Sequence, residues 1–371
     1  MNTPFIPGLE LSRLFYEQAV RPILIKHAPD LIYSAALIGP GSEVLGFDTP
    51  QSTDHDWGPR LQLFINERDD DLENRLDAVF YRELPQTFRG YPCFYTRNED
   101  GTALPTGGGS GQPFHRVTFH TVRGFFKWHL NWDPAGASPD APSAVEWLAM
   151  PEQVLRSVTS GSVYDDGLGQ LEPLRARLRT YPHDLWLYLL ANQWNRISQE
   201  TAFMGRCGQV GDDLGSRLVA ARLVRDLMRL CFLMERQYAP YIKWFGTAFR
   251  QLDCGQDMAP VLGQVLQAET WQQREKHLSQ AYERVARMHN ALGLTEPLDP
   301  TVTPFFGRPF LVPRSGSFVE ALYSAIQSPE VRALPKNLGG IDQFVDSTDV
   351  LSSPSRANQI KGLYEEQPPV V

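Results

Sequence analysis

The feature that most constrains the fold is a pair of short apolar runs that flank a small turn and two closely spaced carboxylates. Residues 31–39 (LIYSAALIG) and 60–65 (RLQLFI) have the length and composition of buried β-strands. Between them lie Gly41-Ser42 and, after eleven further residues, Asp54-His55-Asp56. We therefore expect the chain to leave one strand through a turn and to carry both aspartates into the next strand.

Asp54 and Asp56 are two residues apart, so in an extended chain their side chains would share one face of the sheet. Two carboxylates held close together either share a proton or hold a cation, and Mg²⁺ usually takes one or two carboxylates plus substrate phosphates. A Gly41-Ser42 turn exposes backbone N–H groups, which form a cradle for anions. The structural alternative is a surface turn in which polar side chains only cap the backbone.

The order of these residues resembles the polymerase-beta-like nucleotidyltransferase superfamily, in which Gly-Ser or Gly-Gly precedes Asp-x-Asp and apolar positions flank the motif. The longer stretch 44–64 (VLGFDTPQSTDHDWGPRLQLF) is similar to one branch, the nucleotidyltransferase-like proteins with the domain of unknown function named DUF4037. This resemblance implies an enzyme that transfers a nucleoside monophosphate from an NTP, with ATP as the expected donor, to a hydroxyl of a small molecule or macromolecule.

The resemblance also implies roles for individual residues. Asp54 and Asp56 would hold Mg²⁺, which bridges the phosphates and offsets the charge that develops during transfer. Gly41 and Ser42 would cradle the terminal phosphates. Arg60 and Lys243 would add positive charge; the structural alternative for Lys243, within 238–244 (YAPYIKW), is a helix side chain whose stem covers apolar surface.

The superfamily places a third acid on a later strand, but the best candidate strand, 116–122 (RVTFHTV), carries none. Either Thr118 or His120 occupies that position, or Glu200 supplies a carboxylate from the helical region, or the protein binds a nucleotide without turning it over. His120 suits a general base because its unperturbed pKa lies near neutrality. A packed strand histidine and a solvated helix face are the structural alternatives for His120 and Glu200.

Length and composition favour two domains and exclude some classes of function. A chain of 371 residues exceeds the usual size of a single core, and a net charge of −8 argues against broad electrostatic capture of nucleic acid. The four cysteines lack the paired spacing of metal knuckles or disulfide frameworks. Without a signal-like N-terminus or a long apolar run, we expect a cytoplasmic protein with no membrane partner.

Patterns along the chain predict an α+β fold, in which a small mixed-sheet nucleotidyltransferase domain precedes an all-α helical bundle. The predicted boundaries are 1–131 for the first domain, 132–334 for the helical domain and 335–371 for an irregular tail. Helical periodicity predicts helices over 9–27, 69–84, 183–204, 212–237 and 270–292. The stretch 106–111 (TGGGSG) lacks the Lys and Ser/Thr of a P-loop, so we expect a hairpin connection there.

Two other hypotheses compete with Mg²⁺-dependent nucleotidyl transfer. The strand without an acid favours a catalytically inactive, nucleotide-binding regulatory protein. The third hypothesis is the nucleotidyltransferase partner of a toxin-antitoxin-like pair, which would modify a protein. No visible pattern in the sequence identifies the acceptor.

Overall fold

The computed structural model describes residues 4–99, 101–105, 110–136 and 141–365. The chain forms two compact units: unit 1 comprises residues 1–142 and 154–179, and unit 2 comprises 143–153 and 180–371. This division differs from the predicted boundary at residue 131 because residues 154–179 belong to unit 1, where they supply a strand of its main sheet. Most of the predicted hairpin connection, residues 106–109, lies outside the described residues.

Unit 1 combines strands with helices and unit 2 is mainly helical, which confirms the α+β class. The strands are β1 (Tyr33–Leu37), β2 (Leu61–Ile65), β3 (Thr87–Phe88), β4 (Tyr91–Pro92), β5 (Phe94–Arg97), β6 (Ala103–Pro105), β7 (Ser110–His115), β8 (Val117–Thr121), β9 (Ser162–Asp166), β10 (Thr303–Phe305) and β11 (Arg308–Val312). The α-helices are α1 (Gly8–Phe15), α2 (Arg21–His27), α3 (Asp70–Glu83), α4 (Val122–Leu130), α5 (Ala144–Ala149), α6 (Glu152–Thr159), α7 (Leu171–Leu178), α8 (His183–Glu200), α9 (Phe203–Gln209), α10 (Asp213–Met234), α11 (Ile242–Phe249), α12 (Gly255–Gln267), α13 (Trp271–Ala291), α14 (Ser315–Ala325), α15 (Pro329–Arg332), α16 (Thr348–Leu351), α17 (Pro354–Ala357) and α18 (Gly362–Glu365).

Unit 1 is built on a mixed sheet with the strand order β8-β2-β1-β9. β1 runs antiparallel to both β2 and β9, whereas β2 and β8 are parallel, with Leu63 opposite Phe119. The carboxyl end of β1 therefore meets the amino ends of β2 and β8 at one edge of the sheet. We call this the β1-exit edge.

The core of unit 1 lies between this sheet and its helices. Leu11 and Phe15 of α1 and Phe80 of α3 are buried in one cluster with Leu63 and Val117 of the sheet. The predicted opening helix over 9–27 is present but contains a π-helical turn at Tyr16–Val20, directly before the segment with Pro22. Such a turn relieves the loss of a backbone donor at the proline.

Unit 2 is mainly helical, and its long helices are those expected from apolar periodicity. Trp194 of α8 stacks on Phe318 of α14 with ring centroids 4.5 Å apart, and its indole N–H donates to His289 of α13 at 3.2 Å. The unit also contains an antiparallel hairpin, β10–β11, so it is not purely α-helical. No helix in the described ranges is both long and apolar enough to cross a membrane.

The predicted irregular tail is ordered into short helices. From residue 335 to 365 the chain forms α16, α17 and α18 and two 3₁₀ turns. Ile341, Leu351 and Ala357 are buried together in a small apolar cluster. The sequence prediction missed this cluster because its apolar residues are too widely spaced to give a helical period over one turn.

Candidate active site

Three of the predicted site residues meet at the β1-exit edge. Asp56 and Arg60 line one cavity of about 200 Å³ in unit 1, and a side chain on Gly41 would collide with the Arg60 guanidinium. The other charged and polar residues of the cavity are Gln62, Arg97, His115, Arg116 and Thr118. The cavity therefore combines one carboxylate with three guanidinium groups.

The predicted placement of Asp54 and Asp56 on a strand is wrong. Asp54 ends a 3₁₀ turn over Pro50–Asp54, Asp56 has a φ of +49°, and β2 begins only at Leu61. Pro50 favours the turn because its ring fixes φ at the first helical position. The rule that alternate residues share a face of a strand consequently does not apply to this pair.

The two carboxylates have different partners. Asp54 Oδ1 lies 2.9 Å from His55 Nδ1 in a solvent-exposed ion pair. Slight desolvation raises the pKa of Asp54, but the hydrogen bonds from His55 outweigh it, and the pKa is lowered overall. Asp56 Oδ1 accepts the Ala103 N–H at 3.1 Å, while the Asp56 N–H donates to the Ala103 carbonyl at 3.0 Å. Asp56 is thus fixed to β6 beside the cavity, and Asp54 is not among the lining residues.

Asp54 and Asp56 offer carboxylate oxygens, which are the type of ligand that Mg²⁺ takes in proteins. Both aspartates are exposed, and Mg²⁺ completes its shell with waters and phosphate oxygens around one or two carboxylates. No group of three or more His, Cys, Asp or Glu side chains suited to a metal occurs in the described part of the chain. Asp54 and Asp56 would therefore hold the ion only together with oxygens of a bound phosphate.

A buried ion pair explains why glycine occupies position 41. Glu43 is buried, and its Oε1 accepts a hydrogen bond from Arg60 Nε at 2.8 Å and forms an ion pair with Nη2 at 2.8 Å. Arg60 Nη2 also donates to the Pro40 carbonyl at 2.8 Å. Gly41 has a φ of +144°, and a Cβ there would lie 2.7 Å from Glu43 Oε2. The turn that carries Ser42 is thus packed against a guanidinium whose charge Glu43 balances.

The loop between this turn and β2 is anchored in the core of unit 1. Asp48 accepts the Trp57 indole N–H at 2.9 Å and the Gly8 N–H at 2.7 Å, which ties the loop to the start of α1. Trp57 is buried and stacks on Phe5 with ring centroids 5.7 Å apart. The segment 41–57 therefore has a defined position despite its irregular backbone.

Two cationic residues of the cavity, Arg97 and Arg116, were not predicted. Arg116 directly precedes β8 as Arg60 precedes β2, and the Leu61 N–H donates to the Arg116 carbonyl at 3.0 Å. Arg116 Nη2 donates to the Asp56 carbonyl at 2.8 Å, and its guanidinium lies 5.1 Å from the centroid of the Tyr95 ring. The sequence does contain a pattern that indicates Arg116, because an arginine directly precedes each strand of the parallel pair β2 and β8.

His120 has the surroundings of a packed strand side chain. Its ring lies 5.6 Å from both Phe64 and Phe125, and its Nε2 is 3.0 Å from the Thr118 hydroxyl. Burial, followed by the nearby His129 and Arg68, lowers the pKa of His120 to about 4. Thr118 lines the cavity and His120 does not, so at this edge β8 presents a hydroxyl.

The later strand β9 does carry acids, but they lie at the other end of the strands from the β1-exit edge. Asp166 lies opposite Ser34, near the start of β1, and accepts its hydroxyl at 2.6 Å. Asp165 accepts the Tyr16 hydroxyl at 3.0 Å. Neither residue lines the cavity at the β1-exit edge.

The remaining predicted site residues, Glu200 and Lys243, belong to unit 2. Glu200 is the last residue of α8 and pairs with Arg222 at 2.7 Å. Lys243 is exposed near the start of α11, with its Nζ 5.0 Å from the centroid of the Trp244 ring. Their roles in nucleotide handling stay predictions.

Comparisons with known proteins bear on part of this chain. The model of the family described as "Domain of unknown function (DUF4037)" matches residues 147–245, which confirms the resemblance to that family over this segment. The match does not include residues 41–64, which contain the Gly-Ser and Asp-x-Asp positions. No curated protein matches the chain. A solved structure, the nucleotidyltransferase-like protein from Exiguobacterium sibiricum, is similar at 14% identity and a TM-score of 0.31, over 78% of this chain and 82% of that chain.

Proposed function

We propose that the protein binds an NTP at the β1-exit edge and transfers its nucleoside monophosphate to a hydroxyl of an acceptor. The observation that carries the proposal is that Asp56 and Arg60 line one cavity and that Gly41 packs against the Arg60 guanidinium. Three residues to which the resemblance assigns phosphate or metal binding thus lie near one another. ATP is the donor that we expect.

In this proposal the chain's own groups bind and orient the phosphates. Backbone N–H groups of the Gly41-Ser42 turn and the Arg60 guanidinium offer donors to phosphate oxygens. Asp54 and Asp56 would hold Mg²⁺, which when bound offsets negative charge on the transferred group. Glu43 acts as a positioning residue because it fixes the Arg60 side chain.

A second candidate function is nucleotide binding without turnover. It is favoured by the absence of an acid on β8 and by the lack of a three-acid group in the described ranges. The two candidates share the binding step and differ in release of pyrophosphate. Isothermal titration with ATP and Mg²⁺, paired with a pyrophosphate-release assay across small-molecule and protein acceptors, separates them.

The first prediction concerns the aspartates. Asp54→Asn combined with Asp56→Asn should weaken Mg²⁺-dependent ATP binding by at least about tenfold, or about 1.4 kcal/mol, because both proposed metal-binding carboxylates are lost. The thermal midpoint should not fall, since an asparagine Oδ1 at position 56 still accepts the Ala103 N–H.

The matched control removes the same charge elsewhere in unit 1. Asp70→Asn combined with Asp71→Asn changes two exposed acids in the first turn of α3. This control should leave ATP binding unchanged. Equal affinities in the wild type and the Asp54/Asp56 double variant would refute the metal-binding role of the pair.

A further inference from the structure

The cavity at the β1-exit edge has an excess of positive charge. Arg60 is paired with Glu43, but neither Arg97 nor Arg116 forms a salt bridge with a carboxylate of the described residues. Arg97 donates instead to the Gly101 carbonyl at 3.1 Å, and Arg116 to the Asp56 carbonyl. Even with Glu43 counted beside Asp56, three guanidinium groups face two carboxylates.

Among the three arginines of the cavity, Arg116 has the environment that least favours a charged guanidinium. Its Nη1 atom is buried and has no hydrogen-bond partner among the described residues. A buried charge is normally paired, because removing it from water without a partner costs several kcal/mol. The hydrogen bond to a backbone carbonyl and the Tyr95 ring do not neutralise the guanidinium.

We infer that Arg116 and Arg97 bind a phosphoryl group in this cavity. Guanidinium groups form strong, charge-assisted hydrogen bonds to phosphate oxygens. Thr118 and Gln62 add a hydroxyl and an amide to the lining. The inference rests on the proposed function in that both place a phosphate-bearing ligand at this edge, but it assigns two residues outside the predicted motif.

The size of the cavity limits the ligand. At about 200 Å³ it is smaller than the roughly 300–1,000 Å³ of pockets that enclose whole drug-sized ligands. It accommodates one or two phosphoryl groups with some water, and it is too small to enclose a complete nucleotide. The phosphoryl group therefore belongs either to the polyphosphate of the NTP or to a second, phosphorylated substrate.

The test is calorimetric titration of the full chain with pyrophosphate, inorganic phosphate and ATP, in EDTA and at constant ionic strength set with NaCl. The wild type should bind pyrophosphate or phosphate, and Arg116→Met and Arg97→Gln should each weaken that binding tenfold or more. Arg123→Gln is the control, because Arg123 is exposed, paired with Asp133 at 2.7 Å, and not part of the cavity.

Competition distinguishes the two sources of the phosphoryl group. Displacement of ATP by pyrophosphate assigns the cavity to the polyphosphate, whereas simultaneous binding of ATP and phosphate assigns it to a second substrate. Absence of phosphate and pyrophosphate binding at millimolar concentration, or an equal loss in Arg123→Gln, overturns the inference. Unchanged affinity in Arg97→Gln also overturns it, and this variant serves if Arg116→Met fails to fold.

A structural role for Arg116 gives a different pattern. If Arg116 only supports the fold, Arg116→Met lowers the thermal midpoint of the ligand-free protein and Arg97→Gln binds normally. If Arg116 instead binds an anion, the thermal midpoint of ligand-free Arg116→Met does not fall, because the substitution removes a half-buried charge that has no carboxylate partner. Phosphate binding without pyrophosphate release would count against the proposed transfer reaction while leaving this inference intact.

Discussion

At the scale of single residues, Gly58 shows how tightly the approach to β2 is packed. Its φ is +130°, and the Tyr95 hydroxyl occupies the space that a Cβ would need. The same hydroxyl donates to the Trp57 carbonyl at 3.0 Å. Glycine is therefore required here for two separate reasons, backbone conformation and close approach of a side chain.

Gly58→Ala should lower the free energy of unfolding by about 2–5 kcal/mol, the sum of backbone strain and overpacking. Gly46→Ala is the control, because Gly46 has a φ of +73° with no atom near its missing Cβ, so only the strain remains. Tyr95→Phe should restore part of the stability of Gly58→Ala. Urea denaturation of the four proteins gives the values, and equal losses at positions 46 and 58 would contradict the steric argument.

The residue types at the site were predicted, but the backbone geometry around Asp54 and Asp56 was not. Asp56 and Arg60 line one cavity and Gly41 lies against Arg60, while their roles stay predictions. The strand expected for Asp54 and Asp56 is replaced by a 3₁₀ turn and a positive φ, which Thr49-Pro50 and Gly58-Pro59 in the sequence already favoured. The turn-forming residues on either side of the two aspartates therefore determined the backbone, and the side-chain alternation expected of a strand did not occur.

At the scale of elements, the strands that were predicted are those marked by local apolar runs. β1, β2 and β8 lie within the expected ranges 31–39, 60–65 and 116–122. β9 (SVYDD) was missed because it is acidic and lacks an apolar run, and it pairs with β1 only through contacts more than a hundred residues apart. A pairing of this kind leaves no local pattern in the sequence.

Arg175 stabilises the connection that leads from α6 into β9. Its guanidinium is buried and donates to the carbonyls of Val158, Thr159 and Ser160 at 3.3, 3.0 and 2.8 Å. These carbonyls belong to the end of α6 and the turn after it, where no intrahelical partner exists. One side chain thus satisfies several backbone acceptors at once.

Arg175→Met should lower the free energy of unfolding by at least about 2 kcal/mol, because hydrogen bonds from a charged donor are lost and buried carbonyls remain unsatisfied. Arg179→Met, at an exposed position just after α7, is the matched control and should change stability little. Hydrogen exchange should show faster exchange in β9 of Arg175→Met. Similar stabilities of the two variants would contradict this role.

At the scale of the whole molecule, each unit contains histidines that burial keeps neutral. In unit 1, burial lowers the pKa of His129 to about 4, and that of His120 falls to a similar value. In unit 2, burial lowers the pKa of His289 to about 4. The unfolded chain, with histidine pKa near 6.5, therefore binds more protons than the folded chain between pH 6.5 and 4.

Both units should consequently lose stability as the pH falls from 7 to 5. Each histidine is expected to contribute a loss of roughly 1–2 kcal/mol at pH 5, because its proton is accepted only on unfolding. A carboxylate with a lowered pKa, such as Glu83 at about 2, changes stability only at more acidic pH. Burial raises the pKa of Asp226 and Glu275 in unit 2, so these groups take up protons more readily in the folded state and oppose the loss of stability there. The measurement is the free energy of unfolding in urea at pH 7, 6 and 5.

His129→Phe tests the origin of this dependence, because the His129 ring packs against Phe125 at 4.4 Å and the substitution keeps an aromatic ring there. The variant should show a shallower loss of stability between pH 7 and 5 than the wild type. His55→Gln is the control, since that side chain is 54% exposed, and it should follow the wild-type curve. Parallel curves for His129→Phe and the wild type would mean that His129 takes up its proton without unfolding, so that burial does not hold it neutral.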